Sequence, residues 1–232
     1  MIYPLPALLV SCGSTEEEYN IITVAWAGTV CSSPAMVSIS VRKERYSYDI
    51  LKETGEFVIN LITRDLTYAT DFCGVRSGRD VDKFAQMHLT SLPSQHISAP
   101  GIAESPVNLE CKVTQVIPLG SHDMFLAEVL GVTVDEKYMD ENGKFHLNDA
   151  GLVAYSHGEY FELGEKLGKF GYSVAKKQAA KTESVTKSAK PSGAGKKAAS
   201  AENRTASKTG AGNRRKSASK TGSADKQKSR RK

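Results

Sequence analysis

The first part of the chain carries short apolar runs typical of β-strands. These runs are rich in Val, Ile and Thr and are separated by turn-forming residues: ALLVSCG, NIITVAW, AMVSISVR and EFVINLI. Two longer runs, VNLECKVTQVIPL and MFLAEVLGVTVD, alternate in part between apolar and polar positions and are joined by GSHD. This arrangement predicts a hairpin. The pattern as a whole predicts about six strands.

The helical patterns are short and lie between the strands. SYDILKETG places Ile50, Leu51 and Thr54 on one side and ends at Gly55, a residue typical of a helix C-cap. RDLTYATDFCG and DVDKFAQMHL predict two more short helices, and ENGKF predicts a turn. The early strands follow one another too closely for regular parallel crossovers. The sequence therefore predicts a mainly β fold, an antiparallel β-barrel with short helices.

Charge divides the chain into two regions. Residues 175–232 carry 18 lysines and arginines and three acidic residues, whereas residues 1–174 carry 13 basic and 23 acidic residues. The second region also lacks Ile, Leu, Phe, Tyr and Trp, so it cannot bury enough apolar surface to offset the entropy of ordering. We therefore predict a folded, acidic domain over 1–174 and a basic, low-complexity, disordered tail over 175–232.

The cysteines and the N-terminus bear on the cellular compartment. The four cysteines are widely spaced and form no CxxC pair, which argues against a zinc site or a disulfide framework and fits a reducing cytoplasm. No basic region precedes the short apolar run at the N-terminus, and no apolar run approaches the length of a membrane span. We expect a cytoplasmic protein that holds no metal and does not enter a membrane.

The stretch RKERYSYDILKETGEF places cations and hydroxyls where a strand meets a helix. Arg42, Arg45 and Ser47 stand at the predicted start of the helix. Free backbone N–H groups with nearby arginines are what an anion needs. The alternative is a solvated helix start whose arginines pair with the acidic body.

Two neighbouring stretches favour a ligand. In TVAWAGTVCSSP, the small residues Ala25, Ala27 and Gly28 leave room for a flat aromatic group beside Trp26. The hydroxyl groups that follow, on Thr29, Ser32 and Ser33, can hydrogen-bond a polar edge. FCGVRSGRDVDKF adds further cations in a glycine-containing loop. Together the three stretches predict one apolar slot and one anion-binding end.

Several motifs in order make the chain resemble a known family. NIITVAWAGTVCSSPAMVSISVRKERYSYDILKETGEFVINL, FCGVRSGRDVDKFAQ, ESPVNLECKV and GSHDMFLAEV are similar to the flavin reductase-like family, over about residues 4 to 173. The resemblance implies an FMN-binding split barrel with Greek-key topology, assembled as a homodimer. The basic tail has no counterpart in the family pattern.

The resemblance also implies which residues bind the cofactor. Thr23, Ala25, Trp26 and Thr29 would face the flavin ring, and Cys31 and Ser32 would contact it at the turn before Pro34. The phosphate would be bound by Arg45, Ser47 and Tyr48, with Arg42 nearby and Lys83 as a weaker candidate. His122 and His157 are candidates for the nicotinamide or substrate side. No catalytic residue is assigned, because hydride transfer from a nicotinamide to a flavin requires no protein acid or base.

Three functions remain open at this stage. The first is an FMN-dependent oxidoreductase that takes electrons from NAD(P)H or a protein donor, in the manner of a flavin reductase. The second is an electron carrier of the flavoredoxin kind, without NAD(P)H turnover. The third, of another class, is association with nucleic acid or another polyanion through residues 176–232, because spread lysines and arginines bind polyanions by counterion release.

Overall fold

The structure is a computed structural model, and it describes residues 2–175 of the 232. The strands are β1 Leu5–Pro6, β2 Leu8–Cys12, β3 Asn20–Val24, β4 Ala27–Ser32, β5 Ala35–Arg42, β6 Glu56–Leu61, β7 Ser91–Leu92, β8 Gly101–Ile102, β9 Val107–Pro118, β10 His122–Val134, β11 Val153–Ser156 and β12 Glu159–Glu162. The α-helices are α1 Tyr46–Thr54, α2 Thr67–Val75 and α3 Lys83–Gln86. Short 3-10 helices span Arg64–Leu66, Glu136–Tyr138, Leu147–Ala150 and Tyr172–Val174.

A curled antiparallel sheet of seven strands forms the half-barrel, in the order β3-β2-β6-β9-β10-β5-β4. The chain passes from β5 to β6 through α1, and the β9–β10 hairpin later pairs between these two strands. This is a Greek-key connection. A second, three-stranded sheet has the order β1-β11-β12, and β7 pairs with β8. The predicted β-barrel with short helices is confirmed.

The core lies on both faces of strand β2. Leu8 and Val10 pack inside the barrel with Ile39, Phe57 and Phe125. Leu9 points to the other side, where a second cluster lies beneath α2 and α3: Ala7, Ile21, Ile62, Leu66, Cys73, Phe84, Ile102 and Val153. Since successive strand residues point to opposite faces, the continuously apolar run ALLV fits a strand that is covered on both sides.

Several local predictions are confirmed. The helix α1 ends at Gly55, which adopts a left-handed conformation (φ +63°) and donates its N–H to the carbonyl of Leu51 at 3.1 Å. The residues VNLECKVTQVIP and HDMFLAEVLGVTV form the antiparallel pair β9–β10, as the hairpin pattern predicts.

The strand count and one boundary were wrong. Twelve strands are present among the described residues rather than about six, because six of them are short or lie at an edge. Strand β3 ends at Val24 instead of running through Trp26, and the stretch read as a hydroxyl-rich turn is largely the edge strand β4. The chain turns only at Ser33 and Pro34. Tertiary pairing with β5 extends residues that have no strong strand pattern of their own.

The fold forms one compact unit that runs to Ser173. The proposed boundary at residue 174 stays a prediction. The prediction of disorder over 176–232 lies outside the described residues. Within residues 2–175, no helix is long and apolar enough to cross a membrane.

Candidate functional site

A cleft of about 230 Å³ opens where the ends of strands β3 and β5 meet α2 and the β11–β12 hairpin. Six of the predicted site residues line it: Thr23, Ala25, Trp26, Arg42, Arg45 and His122. These residues come from four separate segments. The structure therefore brings together the apolar slot and the cationic end that the sequence predicts.

A bend after β3 places Trp26 at the mouth of the cleft. The N–H of Ala27 bonds to the carbonyl of Ala25 at 3.0 Å, and the N–H of Ser40 on β5 donates to the carbonyl of Trp26 at 2.8 Å. The indole ring is 47% exposed. A large, half-exposed aromatic ring on a fixed backbone offers a flat surface for a ligand ring.

His122 stands beside Trp26 on the same wall. Its ring centroid lies 5.4 Å from that of Trp26, with the planes tilted by 53°. His122 pairs in register with Arg42 across β10 and β5, and its Nδ1 lies 2.9 Å from Oγ of Ser121. The hydrogen bond leaves Nε2 as the ring nitrogen available to a ligand.

Two arginines form the cationic end of the cleft. Arg45 is the N-cap of α1, and its Nη1 donates to the carbonyl of Gly74 at 3.2 Å. Arg42 is exposed, and its Nε lies 4.0 Å from Glu44. Gly74 is closely packed, since a Cβ there would stand 3.2 Å from that of Thr23. Both guanidinium groups keep donors free for an anion.

A smaller cavity of about 90 Å³ adjoins the cleft and shares Ile22, Arg45 and Val75 with it. Arg76 and Ser77 also line it. Ser47 is buried there, and its hydroxyl accepts a hydrogen bond of 2.6 Å from Nδ2 of Asn20. The predicted helix start therefore faces this smaller cavity, Arg42 lines the cleft, and Arg45 borders both.

Lys83 also borders the smaller cavity, but its ammonium group is bound within the chain. Its Nζ donates to the carbonyl of Ile21 at 2.6 Å and to that of Cys73 at 2.9 Å. Burial lowers the pKa of Lys83. This geometry assigns Lys83 a structural role, joining α3 to β3 and α2, with two of its three N–H donors already used.

Five predicted residues lie away from the cleft in this chain. Tyr48 is on the opposite side of α1, where its hydroxyl donates to Oδ2 of Asp123 at 2.6 Å and its ring meets Phe125. His157 lies in the β11–β12 turn, with its ring 6.0 Å from that of Tyr3. Further along the edge strand β4 are Thr29, Cys31 and Ser32.

The opposite wall contains residues that the sequence pattern did not reveal. Tyr155 and Tyr160 are paired across the β11–β12 hairpin with their rings 5.6 Å apart, and Asp71 comes from α2. The hydroxyl of Tyr160 donates to Oδ1 of Asp71 at 3.4 Å. Burial and then the charge of Asp71 raise the pKa of Tyr160 to about 12. The alternating pattern in VAYSHGEYFE could have indicated the β11–β12 hairpin, but nothing in the local sequence shows that this hairpin packs against α2.

Three of the four cysteines have little chemical reactivity. Cys12, Cys73 and Cys111 are buried. Burial raises the pKa of Cys73 to about 11 and those of Cys12 and Cys111 to about 12. These thiols stay protonated at neutral pH, whereas the thiolate is the reactive form.

Known proteins are similar to this chain in sequence and in fold. The flavin reductase like domain matches residues 1–164. The chain belongs to the flavin reductase-like family. A relative from Archaeoglobus fulgidus, an uncharacterized protein, is 31% identical over 160 residues, which is 69% of this chain and 88% of the relative.

Two flavoredoxins are similar in structure. Flavoredoxin of Desulfovibrio vulgaris (Miyazaki F) has a TM-score of 0.70 and 33% identity, over 75% of this chain and 95% of that chain. Flavoredoxin from Methanosarcina acetivorans has a TM-score of 0.68 and 26% identity over the same shares. These matches support flavin binding by this family member. Nitrilotriacetate monooxygenase component B from Bacillus cereus, at 23% identity and a TM-score of 0.65, covers 72% of this chain and 88% of that chain and shows the split-barrel fold alone.

Proposed function

We propose that this chain is an FMN-dependent oxidoreductase of the flavin reductase type, which takes its electrons from NAD(P)H. The observation that carries the proposal is the cleft itself, because one cavity is lined by Trp26, by the small residues Ala7 and Ala25, and by Arg42 and Arg45. An apolar slot with a few fixed polar groups and a cationic end suits a flat ring that bears a phosphate.

The residues present fit FMN. Thr23, Ala25 and Trp26 would hold the ring, because their backbone is fixed and their side chains leave the slot open. Arg45, with Arg42 beside it, would hold the phosphate. When bound, FMN supplies the redox chemistry.

The chain's own groups would set the environment of the ring. Trp26 and His122 line the cleft together with Tyr155 and Tyr160 of the β11–β12 hairpin, so four aromatic rings border the slot. The Tyr160 hydroxyl donates to Asp71, and burial together with the charge of Asp71 raises the pKa of Tyr160 to about 12. His122 has a free ring nitrogen facing the mouth, where a nicotinamide or another substrate would enter.

A second candidate function is an electron carrier that receives electrons from a protein donor. The similarity to Desulfovibrio vulgaris flavoredoxin, at 33% identity over 95% of that chain, favours it. The half-exposed Trp26 suits either function, because an open cleft admits a small substrate and also lets a partner protein approach closely.

We also propose that the working unit is a homodimer. The cleft, at about 230 Å³, is smaller than the roughly 300–1,000 Å³ of typical ligand pockets. One chain therefore leaves part of an FMN-sized ligand uncovered. The outward-facing positions of β4, including Thr29 and Ser32, are then available to line the site from its open side.

A separate proposal concerns the tail. Its 18 basic and three acidic residues within 175–232 would bind nucleic acid or another polyanion without sequence preference, because it has no aromatic side chains to stack on bases.

The visible absorption spectrum of the purified chain tests the main proposal. We expect a flavin spectrum that bleaches on anaerobic addition of NADH or NADPH, and FMN on heat release and chromatography. A flavin that stays oxidised with both nucleotides but is reduced by a protein donor would support the carrier instead. Failure to contain or take up FMN would overturn both redox functions.

A further inference from the structure

The last described segment, residues 163–173, is an extended arm with large apolar side chains in solvent. After β12 the chain continues with no regular structure until Tyr172, and every residue of the arm is exposed. Leu163, Leu167 and Tyr172 are 59%, 93% and 66% exposed, and Phe170 is 110% exposed. Single exposed apolar residues are ordinary, but four within one short segment mark an interaction surface.

The end of the arm is shaped by its own contacts. The N–H of Tyr172 donates to the carbonyl of Lys169 at 2.9 Å. The Tyr172 ring lies against Gly168, where an added Cβ would come within 2.7 Å of the ring. Gly171 adopts φ +82°, which only glycine reaches easily. These contacts form a tight turn over residues 168–172. The turn fixes the backbone around Phe170, whose ring is exposed.

An open groove runs beside the arm on the same chain. It has a volume of about 1,380 Å³ and is bordered by the arm and by residues 144–152. Phe145, Leu147 and Leu152 are only partly buried along it. Asp149 is 74% exposed at its side chain. The groove therefore has apolar positions for Leu167 and Phe170 and a carboxylate near the lysines of such an arm.

The chain's own tail is a poor occupant for these surfaces. Residues 175–232 contain no Ile, Leu, Phe, Tyr or Trp, so they have no large apolar side chain with which to cover Phe170. A second copy of this chain has both an arm and a groove. A two-fold pair would bury two arms in two grooves through the same contacts, as an isologous interface does.

We propose that the arm of one copy docks in the 144–152 groove of a second copy, with Phe170 as its anchor. Leu167 packs behind Phe170, and Lys166 and Lys169 face Asp149 of the other copy. This inference rests on the homodimer of the proposed function and names the surface that holds it together. Its tests measure association alone and use neither FMN nor redox activity.

Sedimentation equilibrium of the full-length chain is the first test. We expect a monomer–dimer equilibrium that Leu167→Asp with Phe170→Asp weakens about 100-fold, since a buried aromatic anchor dominates such an interface. Leu119→Asp, in the β9–β10 turn and 57% exposed in the wild-type chain, is the matched control and should leave the equilibrium unchanged. All three positions are exposed in one copy, so folding should survive, and circular dichroism checks this.

Amine cross-linking locates the docked arm without any substitution. An equimolar mixture of unlabelled and nitrogen-15-labelled protein should give mixed-label cross-links between Lys144 and Lys166 or Lys169. Cross-links confined to one label would show that the arm folds onto its own chain and would overturn the exchange. If the variant with Leu167→Asp and Phe170→Asp dimerises as strongly as the wild type, docking of the arm is refuted, although the homodimer itself is retained. A chain that stays monomeric at every concentration would overturn both.

Discussion

The indole ring of Trp26 and the imidazole ring of His122 meet with centroids 5.4 Å apart, although they belong to distant parts of the chain. The contact arises because β5 binds both partners. It pairs with β10, which carries His122, and its Ser40 N–H donates a hydrogen bond to the carbonyl of Trp26. The ring pair forms one wall of the cleft, and the first two predictions concern the cleft that it borders.

Replacing the indole should weaken flavin binding. For Trp26→Ala we expect about a tenfold loss of FMN affinity, because one aromatic contact contributes about 1 kcal/mol beyond its buried area. Titration with quenching of flavin fluorescence measures the change. Tyr68→Ala is the control, since Tyr68 is also an exposed aromatic residue but lines a different cavity. Equal losses in both variants would contradict a ring site at Trp26.

Replacing an arginine should distinguish phosphate binding from ring binding. Arg45→Ala should lower the affinity for FMN by about tenfold or more, because charge-assisted hydrogen bonds contribute about 1.5–3 kcal/mol. Its affinity for riboflavin, which lacks the phosphate, should change little. Calorimetric titration with both ligands gives the ratio of the two affinities. Arg64→Ala is the control, because Arg64 lines a different cavity. If Arg45→Ala lowers the affinity for riboflavin as much as that for FMN, Arg45 does not bind the phosphate.

The thiols should differ sharply in reactivity. Cys31 is the one cysteine of the four that is not buried, and burial raises the pKa values of the other three to about 11 or 12. A colorimetric thiol reagent at neutral pH should therefore modify one cysteine quickly in the native protein and four in denaturant. Cys31→Ser should abolish the fast reaction. Rapid modification of a second native thiol would contradict the buried positions.

The ionised carboxylate of Glu110 should stabilise the fold at pH values above the ordinary pKa of a glutamate. Its carboxylate is buried and accepts N–H groups from Gln95 and His96 at 3.0 and 2.8 Å, with the His96 ring 3.0 Å away. Burial alone would raise the pKa of Glu110, but these hydrogen bonds and the His96 ring lower it below 4.5. A lowered pKa in the folded state means that the stabilisation is present above 4.5 and is lost as the pH falls through the folded value.

Glu110→Gln should therefore lower the free energy of unfolding at pH 7 by about 2 kcal/mol. The difference from wild type should shrink as the pH falls through the lowered pKa of Glu110, because the wild-type carboxylate then becomes neutral as well. Urea denaturation at pH 7 and near pH 3 measures both values. Glu159→Gln, at an exposed position, should have no effect at either pH. A difference that stays constant with pH would show that charge on Glu110 does not contribute.

Deleting residues 176–232 should separate the tail from the cleft. The shortened chain should keep its flavin content, because the cleft is already formed by residues within the part of the chain that the structure describes, 2–175. It should lose retention on immobilised DNA, and the retention of the full chain should fall steeply with salt. Equal retention with and without the tail would reject the polyanion proposal, and loss of flavin would link the tail to the site.

Features that depend on local chemistry could be predicted from the sequence alone. Alternating and apolar runs specify β2, β5, β6 and the β9–β10 hairpin, and Gly55 ends α1 because glycine accepts a positive φ. Thr23, Ala25 and Trp26 were marked as candidates for the flavin ring by the family resemblance, and the structure places all three in the cleft.

Which distant groups meet depends on how the separate elements pack. Lys83 was a weaker candidate for the phosphate, and packing of α3 against β3 buries its ammonium group on two backbone carbonyls. Tyr48 is directed to Asp123 because consecutive residues of α1 face different sides. Tyr160 joins the cleft because the β11–β12 hairpin is brought to Asp71 on α2. No local pattern encodes these contacts, since each depends on how separate elements pack around a shared core.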